Sequence, residues 1–353
     1  MMKPKKINRF RVFLQVTFVA MLVGAMLAYP KHYSLQGETM GTTFTIKAYV
    51  PFWRSENNIT KRLQHRLSVI TNIFSTYDDS SEISQFNKTR HQNPIQVSQE
   101  FYDLLNQAQL LNEKTFHMFD VTVLPLYRLW GFMKTEPLKS EPLSSDISKT
   151  LAYVGSDKLK FVGPGKIQKT HPLIECDLSA IAKGYAVDEL SRILKQVGSK
   201  HFIVEIGGEI YASGQKGRSQ NWRCAISVPK SDANPNDILY AIELKNKALA
   251  TSGDYRNYQQ INQKKYTHII NPKTGYPSQK KIVSASVIAK NCMLADSLAT
   301  AVILLDPQKA LNLIERNKAA EALLIEKTDT GFKIYQTSGF KNYIIQDLSQ
   351  EKL

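Results

Sequence analysis

Near the start of the chain Val12 to Tyr29 is apolar except for Gln15 and Thr17, an 18-residue stretch just long enough to span a bilayer. Thr42 to Val50 alternates and is β-branched, which predicts a strand. Ile59 to Phe74 repeats apolar residues at helical spacing through Leu63, Leu67 and Ile70. Ser98 is placed to cap a second helix with the face Phe101, Leu104, Leu105, Ala108 and Leu111. Met133 to Pro172, rich in Lys, Ser, Pro and Gly, reads as mostly loop. Asp177 is a good N-cap for a helix carrying Ala186, Leu190, Ile193, Leu194 and Val197, with Gly198 as its stop. Phe202 to Ile206, Arg223 to Val228 and Ile282 to Ala289 read as strands, and Asn291 to Leu305 as a helix with Leu294, Leu298, Ala301, Val302 and Leu305 inward. Ala322 to Ile325 and Phe332 to Gln336 flank Thr328-Asp329-Thr330-Gly331 as a hairpin. Strands and helices in mixed order, without an internal repeat, argue an α+β or α/β fold lacking a strict βαβ alternation.

The basic flank Lys3, Lys5, Lys6, Arg9 and Arg11 before the apolar run would stay cytoplasmic and direct the rest of the chain outward. Residues 1–29 are therefore expected to be an export signal retained as a membrane anchor, and 30–37 a linker; cleavage near Ala28 is the competing reading, which Met26 at the −3 position fits poorly. No cysteine stands nearby to carry a lipid. The rest of the chain would then lie at the cytoplasmic membrane on its exported side. A net charge of +15 over 353 residues calls for an anionic partner. The basic residues are scattered and no zinc-knuckle spacing occurs, so that partner is not expected to be nucleic acid. Cys176, Cys224 and Cys292 form no CxxC and read as small buried hydrophobes.

Several segments could carry chemistry. In Asp177-Leu-Ser-Ala-Ile-Ala-Lys183-Gly184 a helix start and a lysine could meet one phosphate, or the lysine could be solvated on an ordinary helix. Gly184 inside a helix costs about 1 kcal/mol against Ala, which points to a close approach there. Gly207-Gly208-Glu209 follows a strand and is either a ligand turn or a plain one. Asp296 and Thr300, at i and i+4, share a face opposite the Leu298 stripe. A carboxylate and a hydroxyl suit Mg²⁺, and a solvated pair is the alternative. His268, at a strand end before Asn271-Pro272-Lys-Thr-Gly275, could deprotonate a hydroxyl or serve as a structural donor. Asp120 in Phe119-Asp120-Val-Thr122 sits among apolar residues and requires backbone amides or a ligand donor.

In order, Glu38-Thr-Met40-Gly41-Thr42, Ser75-Thr-Tyr77, Phe119-Asp120-Val-Thr122, Asp177-Leu-Ser-Ala180-Ile-Ala-Lys183-Gly184, Gly207-Gly208-Glu209, His268-Ile-Ile-Asn-Pro272 and Ala295-Asp296-Ser-Leu-Ala-Thr300 resemble the motifs of the ApbE family, FAD:protein FMN transferases. The resemblance implies a single α+β domain over 38–346 with a tunnelling-fold-like core, followed by a tail at 347–353. It implies FAD as substrate and Mg²⁺ as cofactor. The FMN moiety would pass to a threonine or serine of an acceptor protein, with release of AMP. Met40, Tyr77, Met118, Phe119, Asp120, Asp177, Lys183 and His268 would contact FAD. The Ala180 carbonyl, Asp296 and Thr300 would hold the metal, and His268 or Asp296 would be the base. Subunits of membrane redox complexes are the implied acceptors. A Mg²⁺-dependent FAD pyrophosphatase and a membrane-tethered flavin-binding protein are the alternatives. Unlike many relatives the sequence lacks a lipid-bearing cysteine, carries Glu205 where Asn is common, and has Asn271 in place of Asp.

Overall fold

The computed structural model describes residues 9–133, 138–217, 219–230, 237–253, 258–279, 281–316, 318 and 320–349. The apolar N-terminal stretch is helical as α1, Arg9–Ala28, with Phe10, Phe13, Leu14, Val16, Phe18 and Met21 exposed. Among the described residues no helix is long and apolar enough to cross a membrane. Lys3, Lys5 and Lys6 of the expected basic flank lie outside the described residues.

The segment expected to be a linker is instead a strand. β1, Lys31–Thr39, pairs along its whole length with β2, Thr42–Val50. Its residues are mostly polar because it is the edge of the sheet, and among them only Tyr33 is fully buried. Next come α2 (Glu56–Phe74), α3 (Glu82–Lys88), β3 (Ile95–Gln96), α4 (Gln99–Lys114) and α5 (Leu124–Leu129). Ser55 and Ser98 accept the Asn58 and Phe101 amides and so cap α2 and α4. The stretch expected to be mostly loop contains α6 (Ser144–Leu151), β4 (Leu159–Gly163) and β5 (Lys166–Lys169), while its residues 134–137 lie outside the description. Ile147 and Ile167 are fully buried there, and these sparse anchors suffice to order it.

The chain continues through α7 (Ser179–Gln196), β6 (His201–Ile206), β7 (Glu209–Ser213), β8 (Trp222–Ser227), β9 (Ile238–Leu244), β10 (Lys247–Gly253), β11 (Tyr258–Ile261), β12 (Lys264–Thr267) and β13 (Ile282–Ala289). It ends with α8 (Cys292–Val302), α9 (Pro307–Arg316), the hairpin β14 (Ala320–Thr328) and β15 (Gly331–Gln336), and β16 (Ile344–Asp347). Eight strands form one antiparallel sheet in the order β1-β2-β6-β7-β10-β13-β14-β15. Alternate residues divide its faces. Phe44, Ile46, Val204, Ile206, Ala250 and Val287 join the core with α2, α4, α7 and α8. Leu249, Val283, Ile288 and Leu323 meet the small sheet β16-β9-β8 on the other side. The product is a single mixed α/β domain. The cysteines are free, with Cys176 and Cys292 buried and Cys224 half-buried.

Candidate active site

Two tight turns define one end of the sheet. Met40-Gly41 joins β1 to β2 and Gly207-Gly208 joins β6 to β7, all four residues at positive φ (50, 73, 58 and 98°). That is the pattern of two-residue hairpins whose twist matches the strands. The turns abut: the Gly207 amide donates to the Thr43 carbonyl at 3.0 Å, and a Cβ on Gly207 would lie 2.8 Å from Thr42 Cγ2. Glu205 accepts from the Gly208 amide at 2.7 Å, so this departure from the usual Asn supports the turn itself.

Glu209 opens β7 on the helix-bearing face, alongside Ile206. It is 3% exposed, with Oε1 2.7 Å from Lys183 Nζ and Oε2 without a hydrogen-bond partner among the described residues. Asp296, also 3% exposed, accepts from the Gly184 amide at 2.9 Å. In an α-helix that amide would be directed to the Ala180 carbonyl four residues back, so Asp296 competes for the donor which would otherwise occupy that oxygen. Burial lifts the carboxyls of Asp296 and Glu209, with Lys183 pulling both the other way. Burial alone would pull the Lys183 ammonium down, but Asp296 and then Glu209 outweigh it and keep it charged. One turn beyond Asp296, Thr300 Oγ1 lies 3.1 Å from Ser252 Oγ on β10.

The solvated-face alternative does not hold for Asp296, because α8 is wedged against α7 on one side and β10 and β13 on the other, and Thr300 on the same face is half-buried. Gly184 makes this possible. A Cβ there would stand 2.5 Å from the Cys292 carbonyl oxygen and 2.8 Å from Met293 Cα, so the close approach implied by its sequence is that of the α8 backbone. Asp188, one turn along, accepts from the Cys292 and Met293 amides at 2.8 and 2.9 Å, and Asn291 caps Leu294.

Asp177 is not the N-cap of α7, which begins at Ser179 after Leu178 and has no side-chain cap. Asp177 Oδ1 takes the Ser179 amide at 2.9 Å and its hydroxyl at 2.5 Å, and the Asp177 amide donates to the Val121 carbonyl at 2.7 Å. Asp120 braces this junction. Its Oδ1 accepts from the Thr122 amide (2.8 Å), the Thr122 hydroxyl (2.6 Å) and the Ser156 hydroxyl (2.9 Å); Oδ2 accepts from the Ser156 amide (2.9 Å) and Asn112 Nδ2 (3.1 Å). The backbone and side-chain donors its position demanded are therefore its own neighbours.

Tyr77 is 78% exposed, and Tyr127 lies near it: burial first, then Asp177 and Tyr77, push the Tyr127 hydroxyl up. Tyr77, Tyr127 and Asp177 thus gather before the first turn of α7. Met40 and Met118 are partly buried against the main core, and Phe119 lies within it with its carbonyl bonded by Asn112. His268 is half-buried just after β12. The segment following it is fastened by Trp130 Nε1, which donates to the Gly275 carbonyl at 2.8 Å. The positive φ of Gly275 lets the turn lie flat on Ile147 and Leu126.

Lys183, Gly184, Asp296 and Glu209 are therefore joined by direct contact. Asp120 has all its described hydrogen bonds elsewhere, to Asn112, Thr122 and Ser156. Ser252 and Asp188 are positions around the cluster that the sequence did not single out, and Glu209 appeared there only as part of its turn. Only Glu209 carried a local signal, a charged residue standing where strand alternation places an inward side chain. Among the described residues no group of three His, Cys, Asp or Glu is arranged to hold a metal.

The model of the ApbE family matches residues 40–324. An FAD:protein FMN transferase from Haemophilus influenzae is 36% identical over 334 residues, covering 92% of this chain and 94% of its own. One from Vibrio cholerae is 36% identical over 312 residues, covering 88% and 92%. Among solved structures, flavin transferase ApbE from Vibrio cholerae superposes with a TM-score of 0.81 at 35% identity over 89% of this chain and 99% of that one. Pseudomonas stutzeri flavinyl transferase ApbE gives 0.80 at 30% identity, over 90% and 98%. Sequence pattern and fold agree over the same span, and the chain belongs to the ApbE family.

Proposed function

We propose that this chain transfers the FMN moiety of FAD to a threonine or serine hydroxyl of an acceptor protein, releasing AMP and using Mg²⁺. The observation that carries the reading is the cluster of half-buried Lys183 with the buried acids Glu209, paired to its ammonium, and Asp296, held by the neighbouring Gly184 amide, one turn from Thr300. The Asp296 carboxylate, the Thr300 hydroxyl and the Ala180 carbonyl are hard oxygen donors, which fits Mg²⁺ with water or phosphate oxygens completing its shell. When bound, that ion would neutralise charge on the diphosphate.

The residues themselves account for the rest. Lys183 is kept charged by its two carboxylate neighbours and would bind the diphosphate; the exposed ring of Tyr77 offers a face for stacking, with Asp177 at its side. The acceptor hydroxyl oxygen would form its bond to the FMN phosphorus as the phosphorus–oxygen bond to AMP breaks, the bonding pair leaving with AMP. The hydroxyl proton would go to His268 or Asp296. Half-buried His268 is the more accessible, since one Asp296 oxygen is tied to the Gly184 amide.

The exposed apolar side chains of α1 support placing the catalytic domain at a membrane, and the basic residues before them support its exported side, where acceptor subunits of redox complexes would be met. Incubation with FAD, Mg²⁺ and a candidate acceptor tests the reaction. Covalent flavin on the acceptor supports transfer. Free FMN with no labelled acceptor would make the chain a pyrophosphatase, and unchanged FAD a binder.

A further inference from the structure

The end of the sheet opposite the Met40-Gly41 and Gly207-Gly208 turns carries an exposed aromatic pair on a braced turn. Lys31 opens β1 and pairs with Val50, the last residue of β2. The chain turns there at once, the Arg54 amide donating to the Pro51 carbonyl at 3.0 Å. Arg54 Nε donates to the Val197 carbonyl at 3.1 Å, and a Cβ on Gly198 would lie 3.1 Å from Pro51 Cγ, so the turn is packed on the end of α7. Phe52 and Trp53 at its tip are nonetheless 46% and 57% exposed, edge to face with ring centres 6.0 Å apart. Tyr29, two residues before Lys31, is exposed as well. Large rings gain most from leaving water, and a turn this firmly held presents them outward instead.

Basic side chains surround that corner. Lys200 leads into β6, whose His201 pairs with Tyr49 beside the turn. Lys216 follows β7, where the Gln215 amide donates to His201 Nδ1 at 2.9 Å. Lys245 precedes β10, and its neighbour Asn246 accepts from the Gly214 amide at 2.9 Å. These three lysines are exposed, and among the described residues none has a carboxylate within ion-pair distance. The acids nearby, Glu56 and Glu243, face Lys31 at 3.0 Å and Arg223 at 3.3 Å. The balance of the corner is therefore positive. Chain continuity says what meets it. Only three residues, about 11 Å of extended chain, separate Ala28 at the end of apolar α1 from Lys31, so a bilayer that takes α1 lies within reach of the turn.

We propose that, given the membrane placement of α1 above, the Phe52-Trp53 turn and the lysines around it dock the domain on an anionic phospholipid surface. The rings enter the boundary between headgroups and acyl chains, where Trp and its kin are favoured, while Lys200, Lys216 and Lys245 meet the lipid phosphates. Docking by this corner leaves the catalytic turns at the other end of the strands. Met40 is nine residues along from Lys31, roughly 30 Å at 3.3 Å per residue. The acceptor hydroxyl would then be met clear of the headgroup layer rather than within it.

Tryptophan emission tests this. Trp53 is exposed while Trp130 and Trp222 are buried, so a quencher carried in the lipid reads Trp53. The full chain is reconstituted into vesicles of phosphatidylglycerol and phosphatidylcholine with brominated acyl chains, and flotation is followed beside emission. Co-flotation with emission quenched about twofold or more, and the quenching lost in Trp53→Phe, is expected. Quenching should also fall about twofold or more in the double variant Lys200→Glu, Lys245→Glu, and when neutral lipid replaces phosphatidylglycerol. All three positions are exposed, so the variants should keep the fold, as thermal melting would check. Co-flotation without quenching, or quenching that survives Trp53→Phe, would overturn the docking face and leave α1 as an anchor. Quenching indifferent to both charge reversal and lipid charge would overturn the anionic surface as its partner. A chain that does not float with the vesicles would remove anchor and docking face together. Flavin transfer assayed in detergent reads the catalytic proposal separately from each of these outcomes.

Discussion

Replacing Gly184 by Ala tests whether the spacing of α7 and α8 sets the geometry of the reaction. The new Cβ would fall 2.5 Å from the Cys292 carbonyl oxygen and 2.7 Å from its carbon, while ordinary contact begins near 3.4 Å. The neighbour is backbone, so no side chain can swing away, and relief requires the helices to part by about 0.9 Å. Overpacking of this kind costs about 1–3 kcal/mol, and the better helix propensity of Ala returns about 1 kcal/mol. The net loss is about 0–2 kcal/mol, or no more than a few degrees of melting temperature for a chain of this size. Activity should suffer far more. Asp296 is fixed to the Gly184 amide at 2.9 Å, and a displacement near 1 Å in a reacting site can cost about a hundredfold. Flavin transfer measured as kcat/KM, beside a thermal melt of the same sample, separates the two effects. A variant that melts within a few degrees of the wild type and transfers flavin at an undiminished rate would refute the reasoning.

Asp296→Asn should reduce Mg²⁺-dependent transfer by about a hundredfold or more while FAD still binds, checked by single-turnover kinetics beside a flavin fluorescence titration. Tyr77→Ala should weaken FAD binding by roughly threefold to tenfold, from the 0.5–1.5 kcal/mol of an aromatic contact, and an unchanged dissociation constant would assign Tyr77 to another role. Glu209→Gln takes the negative partner from Lys183 and should lower transfer by about tenfold with the fold intact, read as kcat/KM and a circular-dichroism melt. Burial lifts the Asp188 carboxyl from 3.8 to about 6 although two α8 amides pull it down. A folded pKa above the unfolded one gives stability that is complete below pH 4 and lost as pH rises through about 6. Asp188→Asn should flatten that slope, as urea unfolding at about pH 4.5 and pH 7 would reveal.

How much of this was legible in the chain depended on whether the cause was local. Gly184 announced a close approach, because glycine within a helix is costly, yet nothing nearby named α8 as what approaches. The i,i+4 spacing of Asp296 and Thr300 was plain. The burial of Asp296 was not, since it follows from Ala295, Ala299 and Ala301, small residues that let α8 be covered on several sides. Lys31–Thr39 hid its strand because an edge strand needs few apolar residues, and its pairing with β2 fixes it. Asp177 carried the usual cap signal, but the helix starts two residues later and Asp177 binds Ser179 instead. Glu209 depended on a contact with Lys183, 26 positions away in sequence and on a different element, which no periodicity reports.

That contact also bears on whether the cluster is structural or functional. A lysine buried for stability alone would need one carboxylate, and an apolar side chain of similar volume would often serve as well or better. Here Glu209 meets the Lys183 ammonium while the equally buried Asp296 is held by the Gly184 amide, so the acids outnumber the ammonium, and one Glu209 oxygen has no hydrogen-bond partner among the described residues. Burying that excess costs stability, and such costs are kept where charge must meet a ligand. Burial lifts both carboxyls and Lys183 pulls them back, so a bound cation would favour their charged forms. On the proposed reading that cation would come first, and the loaded cluster would then receive the diphosphate.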